Sequence, residues 1–454
     1  MARGKKEVKA LTLEEKLEQA LVPEEEQPYA IPENWCWIKF GWLIELISGR
    51  DVVFSECNDE GLGIPYILGA SNINNNIFTV ERWIETPQVI SRKNDILLSV
   101  KGTIGKLYIQ QEESINISRQ MMAIRSSEEL NVKFVYYFLQ NICDELREAG
   151  NGLIPGISRS DILDKTFMLP PFYEQQRIVT RIESLFAKLD EAKEKAQAVI
   201  DGFELRKSAI LHKAFTGELT EQWRKEYGIG LDSWIKASLS DVCKVNPKKM
   251  NTKDLPDDLE ISFFPMSSLS EIYGEITEPQ TRLLKEVRTG FTNFFEGDVV
   301  FAKITPCMEN GKSAIIGRLV NNIGYGTTEF YVLRCGEKLY NRYLYHLVRD
   351  QHFRDQAKAV MTGAVGQQRV PKEFLEAYLL KLPSVIEQQE ICHILDKIFL
   401  KEMKAKQAAE SVLAQIDTMK KAILARAFHG ELGTNNPSDE NAVELLKEVL
   451  AEKS

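Results

Sequence analysis

The chain of 454 residues has few cysteines and histidines. Its seven cysteines are odd in number and hold no Cys-x-x-Cys pair, which gives neither a disulfide framework nor a zinc site and fits a reducing compartment. Five histidines are scattered, and His-Glu-x-x-His is absent. No apolar run approaches the roughly 18 to 20 residues needed to cross a bilayer, so no membrane association is expected. The start, Met1-Ala2-Arg3-Gly4-Lys5-Lys6, leads into a charged helix rather than a signal segment, and a cytoplasmic location is expected. Positive charge is scarce too: 57 Lys and Arg against 66 Asp and Glu leave −9, whereas a protein that grips a duplex alone is usually basic.

Two catalytic loops are approached and missed. An amino-methyltransferase needs an Asn/Asp-Pro-Pro-aromatic loop for a flipped base, and Leu169-Pro170-Pro171-Phe172 lacks the polar first residue; it reads as a hinge into a helix. A phosphate loop needs Gly-x4-Gly-Lys-Ser/Thr so that backbone amides surround the phosphates. Gly311-Lys312-Ser313 supplies the end, but Pro306 stands where the first glycine belongs.

What the chain does have is an internal duplication. Leu169 to Leu219 lies on Leu382 to Leu432 without a gap, matching at about 21 of 51 positions. Each copy opens with Leu-Pro and a Glu-Gln-Gln triplet, Glu174, Gln175 and Gln176 in the first and Glu387, Gln388 and Gln389 in the second. Each closes on Ala-Phe-x-Gly-Glu-Leu, where Gly217 and Gly430 suit a left-handed helix end. Between these markers, Ile178, Ile182, Leu185, Leu189, Ala192, Ala196, Val199 and Phe203 alternate spacings of four and three. The second copy keeps phase through Ile391, Leu395, Ile398, Ala405, Ala409, Val412, Ile416, Met419 and Ile423, broken only by Glu402. This is the 3.5-residue seam of a coiled coil. With Gly202 the only glycine between the triplet and the closing motif, each copy is expected to run as one helix of about 40 residues. Equivalent elements of a pseudo-dimer meet across a two-fold axis, so the helices are expected to pair antiparallel with globular heads at opposite ends of a rod.

The expected fold class is α+β, two mixed heads separated by two long paired helices. Residues 1–30 read as an N-terminal helix and linker, with a capping box at Thr12-Leu13-Glu14-Glu15. Residues 31–168 read as a first head, 169–230 as the first long helix, 231–380 as a second head, 381–435 as the second long helix and 436–454 as a tail helix. The heads are less alike than the helices, yet a skeleton recurs. Trp37-Ile38-Lys39 answers to Trp234-Ile235-Lys236, Asp95 to Lys101 answers to Asp298 to Lys303, and Ala123-Ile124-Arg125 answers to Val332-Leu333-Arg334. A helix-like stretch follows in each, Val132 to Leu146 and Asn341 to Gln356.

On these residues the chain resembles the specificity subunits of type I restriction-modification systems. The Leu-Pro-x-x-x-Glu-Gln-Gln opening, the Ala-Phe-x-Gly-Glu-Leu ending, the alternation of variable head and helix, and Ile31-Pro32-Glu33-Asn34-Trp35 after a Leu-Thr-Leu-Glu-Glu segment carry the resemblance, which covers essentially the whole chain. It implies a subunit without chemistry of its own, in which each head is a target recognition domain reading one half of a split target in double-stranded DNA. The helices would set the spacer between halves and hold two methyltransferase subunits, and two restriction/translocase subunits would complete the complex. No cofactor is expected in this chain; S-adenosylmethionine, ATP and Mg would belong to the partners.

Base edges call for Arg, Lys, Asn and Gln on loops, and phosphates for Lys, Arg, hydroxyls and backbone amides. In the first head the candidates are Lys101, Thr103 and Lys106 in a turn after a strand, then Ser118, Arg119 and Gln120, then Ser158 and Arg159. In the second they are Lys303, Thr305, Asn310 and Lys312, then Thr327 and Thr328, then Gln367, Gln368 and Arg369. Residues 301–372 hold 11 Lys or Arg against 5 Asp or Glu, while residues 82–125 hold 7 against 4, so the subunit is expected to lean on partners for much of its grip. The Glu-Gln-Gln triplets would cap the helix starts, tie head to helix, or dock a partner. Two rival readings are a coiled-coil scaffold with heads that bind protein or carbohydrate, and an enzyme with its active site in the heads.

Overall fold

A computed structural model describes residues 11–74, 76–150, 155–271, 276–364 and 366–452; the N-terminal Met1 to Lys6 lies outside the described residues. The chain forms two compact units, one from Met1–Lys195 with Ser411–Ser454 and the other from Ala196–Glu410.

In the first unit, the head is closed by its own ends: strand Cys36–Lys39 pairs antiparallel with Thr166–Leu169, Trp37 opposite Met168. Between them lies an antiparallel sheet in the order Leu107–Ile109, Ile96–Ser99, Met121–Ser126, Ile44–Ser48. A second sheet runs Cys57–Asn58, Arg82–Ile84, Ile64–Ile67, Ser114–Ile117, Ile90–Arg92, with Ile64–Ile67 and Ser114–Ile117 parallel. The second unit repeats the plan. Ile235–Ser238 closes on Leu379–Leu382, and one sheet runs Cys243–Val245, Phe330–Cys335, Val299–Ala302, Ser313–Ile315. The other runs Gln280–Leu283, Glu260–Phe264, Gly324–Gly326, Thr292–Phe294, again with a parallel pair, Glu260–Phe264 beside Gly324–Gly326. Both heads are therefore mixed α+β structures on one plan, to which the first head adds the edge strand Cys57–Asn58.

The apolar strands at 96–99 and 299–302 do not alternate because both of their faces are covered. Ile96 and Leu98 enter a core with Phe134 and Phe138 of the head's helices, while Leu97 points into a core with Ile67 and Ile117 of the second sheet. Val299 and Phe301 likewise meet Tyr343 and Leu347, and Val300 meets Phe264 and Phe294. The helical stretches each break in two. Val132–Asn141 gives way to Cys143–Ala149 at Ile142, and Asn341–Arg349 to Gln351–Ala359 at Asp350, whose extended backbone ends the first helix and starts the second.

The second long helix runs unbroken over Val385–Phe428, but the first does not form the single helix expected. It spans Phe172–Asp201 and Phe203–Thr216, parted by the single turn residue Gly202, whose φ −77° and ψ −6° stay in the right-handed helical region and whose N–H still donates to Ala198 O at 3.0 Å. Gly217 and Gly430 stand at the ends with φ 87° and 73°. Within each unit the helices pair antiparallel. Ile178 and Ile182, early in the first helix, share a core with Leu424, Ala427 and Phe428, and Lys420 bonds to Asp190 at 2.6 Å. In the second unit, Leu211 and Ala214 meet Ile391 and Leu395, and Glu402, the polar break in the seam, takes Arg206 at 2.8 Å. Three expected seam residues of the second helix sit at its rim: Ala405 is exposed, as are Val412 and Met419 at 40% and 44%.

The short helix Leu13–Ala20 opens on the predicted capping box, Glu15 N donating to Thr12 Oγ1 at 3.2 Å and Thr12 N to Glu15 Oε2 at 2.7 Å. It packs on the tail helix Ala442–Glu452 in the same unit, where Lys16 Nζ donates to Leu450 O at 3.1 Å. Ala20 and Trp35 share a core with Leu446 and Val449.

Candidate nucleic-acid interface

In each head, three candidate segments far apart in sequence are drawn together by three backbone hydrogen bonds. In the first head, Val100 N donates to Gln120 O at 2.8 Å, Ile157 N to Val100 O at 3.0 Å, and Gly102 N to Pro155 O at 2.8 Å. In the second, Lys303 N donates to Glu329 O at 2.9 Å, Val370 N to Lys303 O at 2.9 Å, and Thr305 N to Gln368 O at 3.0 Å. The networks superpose bond for bond, and they correct the sequence register: Lys303 occupies the place of Val100, while Lys101, bridged to Gly156, answers to Ile304, bridged to Arg369. The frame is the same and the side chains on it are not. Where the second head has Arg369 and Glu329, bonded at 2.9 and 2.8 Å, the first has Gly156 and Gln120. Arg369 holds the Glu329 carboxyl below its usual range.

The individual candidates divide into exposed groups and structural ones. Thr103 and Lys106 are exposed on a turn fastened by Ser99, whose hydroxyl donates to Thr103 O at 2.7 Å and accepts from Lys106 N at 2.8 Å. Lys101 is half-buried and Gln120 exposed. Arg119 is exposed and paired with Asp51 at 2.6 Å. Ser118 is a correction: it is buried, its hydroxyl donating to Leu68 O at 2.6 Å between strand ends, so it offers nothing to a ligand. Ser158 Oγ donates to Asp161 Oδ2 at 2.7 Å in a local turn, and Arg159 donates to Leu46 O at 2.7 Å and Ser48 Oγ at 3.0 Å.

In the second head, Asn310, Thr328 and Gln367 are exposed, and the half-buried Lys303 ammonium lies 5.4 Å from the centre of the Tyr331 ring. Thr305 Oγ1 accepts from Gln368 N at 3.2 Å, and Thr327 Oγ1 from Glu329 N at 3.2 Å, so both hydroxyls shape loops. Lys312 reaches back to Met266 O at 3.3 Å and Glu271 at 3.6 Å. No helix follows it, and strand Ser313–Ile315 does, which is not the geometry of a phosphate loop.

Sequence reasoning missed two features of the heads. Asp95 and Asp298, both buried, each take a two-pronged bond from an arginine on the neighbouring strand, Arg125 at 2.9 and 2.8 Å and Arg334 at 2.7 and 2.7 Å. All four residues belong to the recurring skeleton, and recurrence of an Asp and an Arg at matched places was the available signal. The second is Phe54, 71% exposed, with the Arg82 guanidinium 4.9 Å from its ring centre, on the loop that carries Asp51. Nothing in the sequence pattern marks it.

The triplets tie head to helix. Gln175 Oε1 accepts from Asn131 N at 3.0 Å and its Nε2 donates to Pro170 O at 3.0 Å. Gln388 Oε1 accepts from Tyr340 N at 2.8 Å, and its Nε2 donates to Lys338 O and Pro383 O, each at 2.9 Å. Glu174 and Glu387 are buried as well, which removes the first two residues of each triplet from any docking surface; Gln176 and Gln389 are exposed. Among the described residues, no helix is long and apolar enough to cross a membrane.

The profile of the type I restriction modification DNA specificity domain matches residues 32–200 and 232–410. The specificity subunit of the type I restriction enzyme EcoAI from Escherichia coli is 33% identical over 265 residues, a match covering 49% of this chain and 44% of that protein. The chain thus spans less than half the length of this relative. The EcoDI specificity subunit from Escherichia coli is 22% identical over 454 residues, covering 93% of this chain and 96% of that one. In fold, the chain is similar to the HsdS subunit from Thermoanaerobacter tengcongensis, with a TM-score of 0.62 at 18% identity over 89% of this chain and 99% of that one. One domain profile matching twice, once in each half of the chain and over most of the residues, shows that the chain belongs to the type I restriction modification DNA specificity domain family.

Proposed function

We propose that the chain is the DNA sequence-specificity subunit of a type I restriction-modification complex, each head reading one half of a bipartite duplex target. The observation that carries this reading is the pair of matched loop networks. A constant set of backbone bonds carries different residues, the side chains of Lys303, Arg369 and Glu329 in one head and, in the other, a buried Val100, a Gly156 without a side chain and an exposed Gln120. That is what two readers of unlike half-sites require, since phosphate contacts position while base contacts specify. Lys101, Thr103, Lys106, Arg119 and Gln120 in the first head, with Lys303, Asn310, Thr328, Gln367 and Gln368 in the second, are the contacts we favour.

The long helices hold the heads and set the spacer, and their outer faces take two methyltransferase subunits, with two restriction/translocase subunits completing the assembly in the cytoplasm. The chain itself carries out no reaction; S-adenosylmethionine, ATP and Mg are used by the partners. Its net charge of −9 accords with partners that supply much of the phosphate contact. The test is exchange of residues 31–168 for the equivalent head of a relative, followed by mapping of methylated sites. One half of the recognised sequence should change and the other stay. A change in both halves, or methyl transfer by the purified chain with donor and DNA alone, overturns the proposal.

A further inference from the structure

In the second unit, Cys243 and Cys335 stand directly opposite one another on antiparallel strands, Cys243–Val245 at the edge of the sheet and Phe330–Cys335 beside it. Their place in the ladder fixes their spacing. Gly336 N donates to Val242 O at 2.8 Å and Asn246 N to Val332 O at 2.7 Å, so the hydrogen-bonded pairs are 242 with 336, 244 with 334 and 246 with 332. Cys243 and Cys335 fall between two of these, on a non-hydrogen-bonded pair. At such a pair the Cα atoms approach to about 4.5 Å and the side chains crowd together. That lies within the Cα separation of about 4.4–6.8 Å that a disulfide spans.

Both thiols are free, and Cys335 is half-buried where Cys243 is buried. The Cys335 thiol facing it, together with burial, pushes the Cys243 thiol up from its ordinary range. The first head lacks the pair: its equivalent position, next to Arg125 as Cys335 is next to Arg334, joins Ile44 to Ser126.

We infer that Cys243 and Cys335 form an oxidation site in the second head, closing reversibly to an intramolecular disulfide when a peroxide reaches Cys335. The Cys335 sulfur attacks hydrogen peroxide, the O–O bond breaks, and a sulfenic acid forms with release of one water. The Cys243 sulfur then attacks the Cys335 sulfur, the S–O bond breaks, and the Cys243 proton leaves with the oxygen as a second water. Two thiols and one peroxide give one disulfide and two waters, the thiols losing two electrons and the peroxide gaining them. Dithiol reductants reverse the step by thiol–disulfide exchange. The bridge pins the edge strand, and with it the turn at Asn246, whose side chain accepts from Val332 N at 3.0 Å.

The test treats the full-length chain, native, with a limiting dose of hydrogen peroxide, then alkylates free thiols under denaturing conditions and maps tryptic peptides. Residues 237–244 and 335–338 should appear joined and lighter by two hydrogens, and both should return as alkylated peptides after dithiothreitol. Cys335→Ser should leave Cys243 fully alkylated at the same dose. Recovery of Cys335 as sulfinic acid with Cys243 still free, or of both residues fully alkylated at a dose that oxidises Cys57 or Cys307, overturns the inference.

Discussion

The two long helices carry the same Glu-Gln-Gln triplet in their first turns and set it in unequal surroundings. Gln175 and Gln388 do one job twice: each amide accepts from the backbone N–H at the start of its head's helix pair and donates to the proline carbonyl just before the long helix. The glutamates differ. Glu387 is enclosed by Thr220 Oγ1 at 2.8 Å, Arg224 at 2.7 Å and Trp234 Nε1 at 2.9 Å, with Arg224 only 6% exposed. Glu174 takes Thr434 at 2.6 Å and Arg177 at 2.6 Å, but Arg177 is 37% exposed and shared with Asp439. Each glutamine amide finds two main-chain partners at matched places in the two copies, and Gln388 adds a third, Lys338 O at 2.9 Å. A carboxylate takes donors from whatever follows the opposing helix, and those segments have diverged.

The sharpest way to break this comparison is to remove one charge from each pair. Arg224→Ala leaves the Glu387 carboxylate buried beside Trp234 without its cation and should cost about 3–5 kcal/mol. Arg177→Ala leaves the buried Glu174 with Thr434 and opens it to water where the partly exposed guanidinium stood, and should cost about 1 kcal/mol once solvent screening is allowed for. Urea unfolding of the two variants measures the difference; equal losses would mean that the enclosure of Glu387 has no energetic consequence.

The glutamines are the control. Gln175→Ala and Gln388→Ala each strand a backbone donor that no longer meets an acceptor, at about 1–3 kcal/mol apiece. The two losses should agree with each other more closely than those of the two arginine variants do. If Gln388→Ala proves neutral while Gln175→Ala does not, the shared geometry is not what stabilises the helix starts.

The repeat, the antiparallel pairing and the strands at 95–101 and 298–303 were legible because periodicity and duplication are properties of sequence alone. The hidden features depend on partners distant in sequence. Nothing near Ser118 announces that its hydroxyl is spent on Leu68, 50 residues away, and the one-residue register error between Lys101 and Lys303 arose because two lysines matched more readily than a lysine and a valine. Backbone bonds, which no residue type reports, settle that register. The facing of Cys243 and Cys335 is hidden for the same reason: their spacing of 92 residues says nothing until the strands pair.

A smaller difference between the starts is one of protonation. Burial, outweighing the bonds from Thr434 and Arg177, raises the Glu174 carboxyl above its ordinary value of 4.5. A raised folded-state pKa means that folding favours the protonated form. The contribution of Glu174 is therefore complete below pH 4.5 and is lost as pH rises through the raised value, with a slope of at most about 1.4 kcal/mol per pH unit. Glu174→Gln should remove this dependence, so its stability relative to the parent protein should improve from pH 4.5 to pH 7. A difference that stays flat across that range would show that Glu174 does not bind a proton on folding.

The helices themselves offer the finest comparison. Gly202 interrupts the first helix, and its repeat counterpart is Gln415, inside the unbroken second one. Its backbone, at φ −77° and ψ −6°, is open to any residue, so the interruption reflects low helix propensity rather than a need for glycine. A methyl group there would meet Arg206 Nη1 at 2.4 Å, the movable end of a side chain, and Ala198 O at 3.1 Å. Arg206 can yield by releasing Val199 O, which it holds at 2.9 Å, while keeping Glu402. Gly202→Ala should therefore make the turn between the two segments more regular and stabilise the protein by no more than about 1 kcal/mol, the gain in propensity being partly offset by the shift of Arg206. A rise in helical circular dichroism with a slightly higher urea midpoint is the expected result. Destabilisation would mean that the contact with Ala198 O cannot relax and that the break is required by packing in the second unit.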